Sequence, residues 1–142
     1  MIVMTYLCSL PYWRKSWWNP FTCRPVVMML EGQRLRAWDK NEALLFDTSV
    51  TEVQAHLSRL KTLVLHVNGQ KWVFYGRGSG SSPGPTPGQR DAVERFLHDH
   101  SEEPLPLNAG GPGLADLIFN ESAGWHMRLW NQVLLEAGAS RT

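Results

Sequence analysis

A run of short strands that includes a tight hairpin is the feature that most limits the fold of this chain. Residues 33–38 alternate polar and apolar side chains, which is typical of a half-buried strand. Asn68-Gly69 favours a two-residue hairpin turn because both residues tolerate positive φ. The pattern predicts strands at 26–30, 33–38, 43–46, 62–67 and 71–75. The spacing in 50–57 fits either a strand or a helical turn.

The second half of the chain predicts helices behind a flexible segment. In residues 76–88, 11 of the 13 residues are Gly, Ser or Pro, which is typical of a linker. Thr86-Pro87-Gly88-Gln89 matches a capping box with proline at the first helical position, so a helix is expected from there to about His100. Apolar residues at helical spacing in 125–134 predict a C-terminal helix, which Gly138 is expected to end.

Antiparallel strands followed by helices predict an α+β fold. We expect an antiparallel β-roll, or a partly open small barrel, of five or six strands followed by C-terminal helices. The chain divides into an aromatic and basic leader (1–24), a β-roll that includes the linker and the first helix (25–100), and a C-terminal helical extension (101–142). A length of 142 residues suits one small domain with a tail.

Composition excludes several classes of protein. With 43% hydrophobic and 19% charged residues, the chain is not a disordered polyelectrolyte. No apolar run approaches the roughly 18 residues that a transmembrane helix needs. In the opening segment the basic residues follow the apolar ones, the reverse of a signal peptide. Cys8 and Cys23 are too few for a disulfide framework. We therefore expect a cytoplasmic protein with reduced thiols, with peripheral membrane association as an alternative.

Tryptophan and basic residues are concentrated in the leader. Residues 1–38 carry five basic side chains against one acidic side chain. Tryptophan favours the membrane–water interface, and Lys and Arg are attracted to anionic headgroups. The predicted binding residues are Trp13, Arg14, Lys15, Trp17, Trp18 and Arg24. The alternative interpretation is that these rings pack on the strands as part of the core.

A second candidate surface is the C-terminal apolar stripe that contains Trp125 and Trp130. Our first expectation is that this stripe packs on the strands. If the linker leaves it free, it becomes a partner surface or a homo-oligomer contact.

Three other patterns point less directly to chemistry. The glycines of residues 76–80 follow a strand and could form a phosphate nest, but the Walker lysine and an adjacent helix start are missing. His98 and His100 point apart on a helix end, so no metal site is predicted. No nucleophile, acid and base form a recognisable motif. We predict no enzymatic activity and no cofactor; the alternative is an enzyme whose site the sequence does not reveal.

The strand region resembles bacterial pleckstrin-homology-like and GRAM-like domains over about residues 24–100. The similarity is carried by Arg24-Pro25-Val26-Val27, Gly32-x-x-Leu35-x-x-Trp38-Asp39, Leu45-Phe46-Asp47, Val50-x-x-Val53 and Thr62-Leu63-Val64-Leu65-x-Val67-x-Gly69. Two features depart from that family, namely fewer strands and a long linker before the helix. The resemblance implies a roll whose mouth is closed by a helix. It also implies a scaffold that binds lipid headgroups, peptides or proteins without catalysis.

These patterns together predict a non-enzymatic binding or adaptor module. Its expected partner is an anionic membrane surface or a protein, contacted through the leader. Nucleic acid is the alternative, because interleaved aromatic and basic residues also suit single strands. It is not the expected partner, since that mode needs a long positive groove and residues 39–142 carry more acidic than basic side chains.

Overall fold

Two β-sheets and two helices make up the described part of the chain. The structure is a computed structural model that describes residues 6–14, 23–76, 84–100 and 123–141, with the backbone alone for 123–125. Its strands are β1 (Tyr6–Ser9), β2 (Tyr12–Arg14), β3 (Cys23–Pro25), β4 (Val27–Glu31), β5 (Arg34–Trp38), β6 (Leu44–Ser49), β7 (Gln54–Leu57), β8 (Leu63–Val67), β9 (Gln70–Tyr75) and β10 (Ser140–Arg141). The helices are α1 (Pro87–Asp99) and α2 (Ala123–Ala137).

The strands form a four-stranded sheet A and a six-stranded sheet B. Sheet A has the order β1-β4-β5-β6, and sheet B has the order β10-β7-β8-β9-β2-β3. All pairs are antiparallel except β10, which lies parallel to β7 at the edge of sheet B. A 3-10 turn, Val50–Glu52, connects β6 of sheet A to β7 of sheet B. Mostly antiparallel sheets combined with two helices confirm the expected α+β class. The described strands do not close into a barrel.

One bent hairpin is shared by both sheets. Its first arm consists of β1 and β2, and its second arm of β3 and β4. Because β1 pairs with β4 in sheet A and β2 pairs with β3 in sheet B, the two arms bend together from one sheet to the other. At the bend, the backbone N–H of Val26 donates to the carbonyl of Pro11 over 2.9 Å. The hairpin therefore joins the sheets along one side.

The predicted strands of the 26–75 region are confirmed, with shifts of one to three residues at their ends. Asn68 and Gly69 form the β8–β9 turn with φ values of 51° and 79°. The ambiguous stretch 50–57 contains both a 3-10 turn and a strand. The described strands number ten rather than five or six, because residues before 25 contribute β1, β2 and most of β3, and the C-terminal segment contributes β10.

The main core lies between the two sheets and is covered by α2. Sheet A contributes residues such as Leu30 and Leu35, and sheet B contributes Leu65 and Phe74. From α2, buried side chains complete the same cluster: Met127, Leu129, Trp130, Val133 and Leu134. The expectation that the C-terminal stripe packs on the strands is confirmed for these residues. Gly138, with φ of 124°, follows the helix as predicted.

The first helix covers the opposite face of sheet A. It begins at the predicted capping box, where the Gln89 N–H donates to the Thr86 hydroxyl (3.1 Å) and the Thr86 N–H donates to the Gln89 side chain (2.9 Å). Val93 and Phe96 of α1 pack against Cys8, Leu10 and Val27 in a second cluster. The helix expected at the mouth of the roll therefore lies behind sheet A, and α2 covers the core between the sheets.

Among the described residues, neither helix combines the length and the hydropathy that crossing a bilayer requires.

Candidate anion-binding surface

The predicted binding residues of the leader fall into two groups. Lys15, Trp17 and Trp18 lie outside the described residues. Trp13 and Arg14 lie on β2, and Arg24 lies exposed on β3. At these three positions the leader therefore forms strands of sheet B.

Trp13 faces the core. It is half-buried and stands opposite Phe74 in the strand register. Its ring centroid lies 4.8 Å from that of Trp72, a ring that is only 5% exposed. Aromatic pairs at this separation add to the stability that burial provides. In the structure the Trp13 ring therefore packs on the sheet, as in the alternative interpretation of the leader.

Arg14 faces the other side of sheet B. Successive side chains of a strand point to opposite faces, so the residue after Trp13 points away from the core. Its guanidinium Nη1 donates to the hydroxyl of Tyr75 on β9 over 2.9 Å. This hydrogen bond orients the Arg14 side chain across the outer face of the sheet.

A cavity of about 550 Å³ lies on this outer face, and we call it the sheet B groove. Val64 of β8 and Val73 of β9 contribute its apolar lining. The other lining residues are polar or lie in the β7–β8 turn: Arg14, Ser58, Arg59, Leu60, Thr62, Lys71 and Tyr75. A concave site with a few convergent polar groups on an apolar base is the usual form of a ligand-binding surface.

The charge of the sheet B groove has one sign. Arg14, Arg59 and Lys71 reach it from β2, the β7–β8 turn and β9. Residues 53–76 contain no Asp or Glu, and the lining residues that the structure describes include none either. Among the described residues, Arg59 and Lys71 form no ion pair. Cationic side chains gathered in a concave surface raise the local concentration of anions.

The β7–β8 turn holds one wall of the groove in a fixed shape. The N–H of Lys61 donates to the Ser58 carbonyl (3.0 Å), and the N–H of Ser58 donates to the Thr62 carbonyl (2.9 Å). The hydroxyls of Ser58 and Thr62 are hydrogen-bonded at 2.6 Å. Lys61 has a φ of 62°, in the left-handed region. At the tip of this turn Leu60 is 86% exposed.

A second cavity, of about 400 Å³, lies between α1 and sheet A. Its base includes Met29 and Trp38, and its rim carries both signs of charge through Asp39, Lys40 and Glu42. The Asp39 carboxylate accepts hydrogen bonds from the backbone N–H groups of residues 41 and 43, so it stabilises its own turn. This mixed rim gives no preference for an anion.

The C-terminal stripe does not supply an exposed tryptophan pair. Trp130 is fully buried, and its indole Nε1 donates to the Ser9 hydroxyl over 2.7 Å. The hypothesis that Trp130 belongs to a partner surface is therefore not supported by its position, because the ring fills the core under α2. The side chain of Trp125 lies outside the described residues.

A buried serine–histidine pair was not predicted from the sequence. The Nε2 atom of His126 lies 2.5 Å from the Ser9 hydroxyl oxygen, and its Nδ1 lies 3.4 Å from the Gly76 carbonyl. Burial lowers the pKa of His126 to about 4, so the ring is neutral near pH 7. Ser9 and His126 are fully buried, and neither residue lines the two cavities above. The pair therefore fastens α2 to β1, and both side chains are shielded from solvent.

The remaining candidate residues have structural contacts. The ring of His100 stacks on Tyr6 at 4.3 Å, and its Nε2 lies 3.4 Å from a Glu31 carboxylate oxygen. Over the ranges that the structure describes, no three His, Cys, Asp or Glu side chains group as metal ligands would. Cys8 and Cys23 are buried and form no disulfide, and burial raises the pKa of both thiols. Of the glycine segment 76–80, residues 77–80 lie outside the described residues.

Arg59 and Lys71 were missed because no local motif contains them. A longer-range signal was present: residues 53–76, which form β7, β8 and β9, carry three basic side chains and no acidic one. A stretch of this kind that also forms consecutive strands places its cations on one sheet. Comparison of the chain with models of protein families, with curated proteins and with solved structures finds no match.

Proposed function

We propose that this chain is a non-enzymatic binding module of the pleckstrin-homology-like type that binds a phosphate-bearing anionic ligand in the sheet B groove. The observation that carries the proposal is the charge of the groove: Arg14, Arg59 and Lys71 converge on it from three elements, and the described part of its lining includes no carboxylate. Converging cations without carboxylates repel one another, and a bound anion relieves that repulsion.

Each of the three side chains has a distinct role in the proposal. Arg14 presents a planar guanidinium whose orientation is set by the Tyr75 hydroxyl, and this geometry suits two oxygens of one phosphate. Lys71 supplies a compact charge from β9. Arg59 extends from the ordered β7–β8 turn and reaches the ligand from the rim. Of the predicted leader residues, Arg14 thus carries the binding role here.

The arrangement of the sheets supports the proposed type. The shared hairpin bends between two antiparallel sheets, and α2 covers the core that the sheets leave open. The sequence resemblance implies a closing helix within residues 24–100, whereas the helix that covers this core, α2, lies outside that range. Among the residues that the structure describes, the groove lining contains no histidine, cysteine or carboxylate that would serve as a general acid, base or nucleophile, and this supports a binding role over a catalytic one.

Calorimetric titration with inorganic pyrophosphate tests the proposal. The double variant Arg59→Ala/Lys71→Ala should lose affinity for pyrophosphate by about tenfold or more, because two charge-assisted contacts are lost. The matched control is Arg95→Ala/Arg128→Ala, which removes two exposed cations from α1 and α2. Both double variants should fold with wild-type stability, since exposed substitutions of this kind change it little. Equal loss of binding in the two variants would contradict a localised site.

A further inference from the structure

We infer that the phosphate bound in the sheet B groove belongs to a lipid membrane, and that Leu60 inserts into the bilayer beside it. The inference rests on the proposed function. It adds the source of the ligand, and it adds an apolar contact, made by Leu60, that the cations of the groove do not provide.

The first observation is the exposure of Leu60. Among the described residues two large hydrophobic side chains are exposed, namely Leu60 at 86% and Leu44 at 53%. Leu44 lies on β6, the edge of sheet A, close in sequence to a turn of mixed charge that contains Asp39, Lys40 and Glu42. Leu60 instead lines the rim of a cationic groove. An exposed leucine in that setting has the two features that anionic membranes recognise, apolar surface and positive charge.

The second observation is that the turn is built to present Leu60. Four hydrogen bonds hold its base: two join the backbone of Ser58 to Lys61 and Thr62, one joins the hydroxyls of Ser58 and Thr62, and one runs from the Thr62 N–H to the Ser58 hydroxyl. Leu60 therefore does not have to be ordered on binding, which lowers the entropic cost of insertion. Arg59 and Lys61 flank it, both exposed. Their long side chains can keep their charges at the headgroups while the leucine enters the acyl region.

The third observation favours a lipid surface over an acidic protein. A stable protein interface needs a contiguous patch with a packed apolar centre. Here a single aliphatic side chain projects from a tight turn, and the exposed residues on either side of it are cations. A bilayer accepts an isolated side chain without a complementary pocket, and its anionic headgroups attract the surrounding charges. Charge complementarity and the shape of the turn therefore both favour an anionic lipid surface as the partner.

Site-specific labelling at position 60 tests the inference. The native thiols Cys8 and Cys23 are buried, so a fluorophore sensitive to polarity can be attached to a Leu60→Cys variant, with Leu44→Cys as the matched control. We expect a blue shift at position 60 on vesicles of phosphatidylcholine mixed with phosphatidylserine. We expect no shift on phosphatidylcholine alone and none at position 44 on either vesicle. A label at position 60 that stays in water on the mixed vesicles would overturn the inference.

A substitution series measures the contribution of the leucine. Leu60→Ser should lower partition onto the mixed vesicles by about tenfold or more, because the apolar surface that enters the bilayer is removed. Leu44→Ser should leave the partition unchanged. Leu44→Ser, which lies outside the lining of the groove, should also leave pyrophosphate binding unchanged. If Leu60→Ser partitions like the wild-type chain, insertion of Leu60 is contradicted.

The two proposals fail in different ways. Pyrophosphate binding that depends on Arg59 and Lys71, without any binding to the mixed vesicles, would leave the proposed function in place and overturn the lipid source. Absence of binding to both pyrophosphate and the mixed vesicles would overturn the proposed function, and the inference with it.

Discussion

The Nε2 atom of His126 on α2 lies 2.5 Å from the hydroxyl oxygen of Ser9 on β1, although 117 positions separate the two residues in the chain. The same hydroxyl accepts from Trp130 Nε1. Because the Gly76 carbonyl can only accept, Nδ1 carries the hydrogen of the neutral ring, and Nε2 accepts from the Ser9 hydroxyl. This buried chain of hydrogen bonds positions α2 over the main core, and it requires a neutral imidazole.

Stability should therefore fall as the pH is lowered through the range of this histidine. The pKa of His126 is about 4 in the folded chain, below its ordinary value of 6.5, because burial disfavours the charged ring. Between these two values the unfolded chain binds a proton that the folded chain does not, so the free energy of unfolding decreases with decreasing pH. The loss should total on the order of 3 kcal/mol at pH 4 relative to pH 7.5. Urea denaturation across this range measures it.

A His126→Gln variant is the control for the assignment. It should be less stable than the wild-type chain near neutral pH, because it disturbs the bonds to Ser9 and Gly76. Its free energy of unfolding should change much less between pH 7.5 and 4.5. Asp47, whose pKa is lowered mainly by its hydrogen bond to Arg34, titrates below this window. A variant that keeps the wild-type pH dependence would show that another group causes it.

Trp13→Ala should destabilise the fold. The ring is half-buried against Trp72 and the main core, so its removal takes away packing and leaves a partial cavity. We expect the free energy of unfolding to fall by about 2–3 kcal/mol in urea denaturation. Arg24→Ala is the control, because Arg24 stands opposite Trp13 in the register but is exposed, and it should change stability by roughly 0.5 kcal/mol or less. Equal stability of both variants would place the Trp13 ring at the surface.

Two glycines should respond to alanine with opposite signs. Gly69 has a φ of 79° with open space around it, so Gly69→Ala should cost about 1 kcal/mol through backbone strain alone. Gly88 lies in the first turn of α1, where an added Cβ would meet the Thr86 hydroxyl oxygen at an ordinary 3.9 Å. Gly88→Ala should stabilise by roughly 0.5 kcal/mol, since it restricts the unfolded chain. Thermal or urea unfolding of both variants checks the signs, and a shared sign would contradict this explanation.

Local chemistry explains the parts of the fold that the sequence predicts. Alternation in 33–38, the Asn68-Gly69 pair and the Thr86–Gln89 capping box each depend on neighbours within a few positions. The strands β4, β5, β8 and β9 and the start of α1 accordingly lie where the sequence places them. The apolar stripe of 125–134 is also confirmed as a core-facing helix surface from His126 onward.

Long-range pairing explains what the sequence did not predict. The leader forms strands because β1 pairs with β4 and β2 pairs with β9, both of which lie far along the chain. In the second pair, Tyr12 lies opposite Tyr75. Arg14, Arg59 and Lys71 meet only after this pairing has formed, so no window of the sequence contains the groove. The Ser9–His126 pair likewise joins the two ends of the chain.

Chemical-shift mapping with inorganic pyrophosphate tests the central claim most directly, because it shows where on the chain the anion binds. On ¹⁵N-labelled protein, we predict shifts of backbone amides around the sheet B groove, in 12–14, 58–62 and 71–75. Residues 38–42 and 88–92, which line the cavity beside α1, should not shift. Shifts confined to that second cavity, or no saturable shift in any amide, would contradict the assignment of anion binding to sheet B.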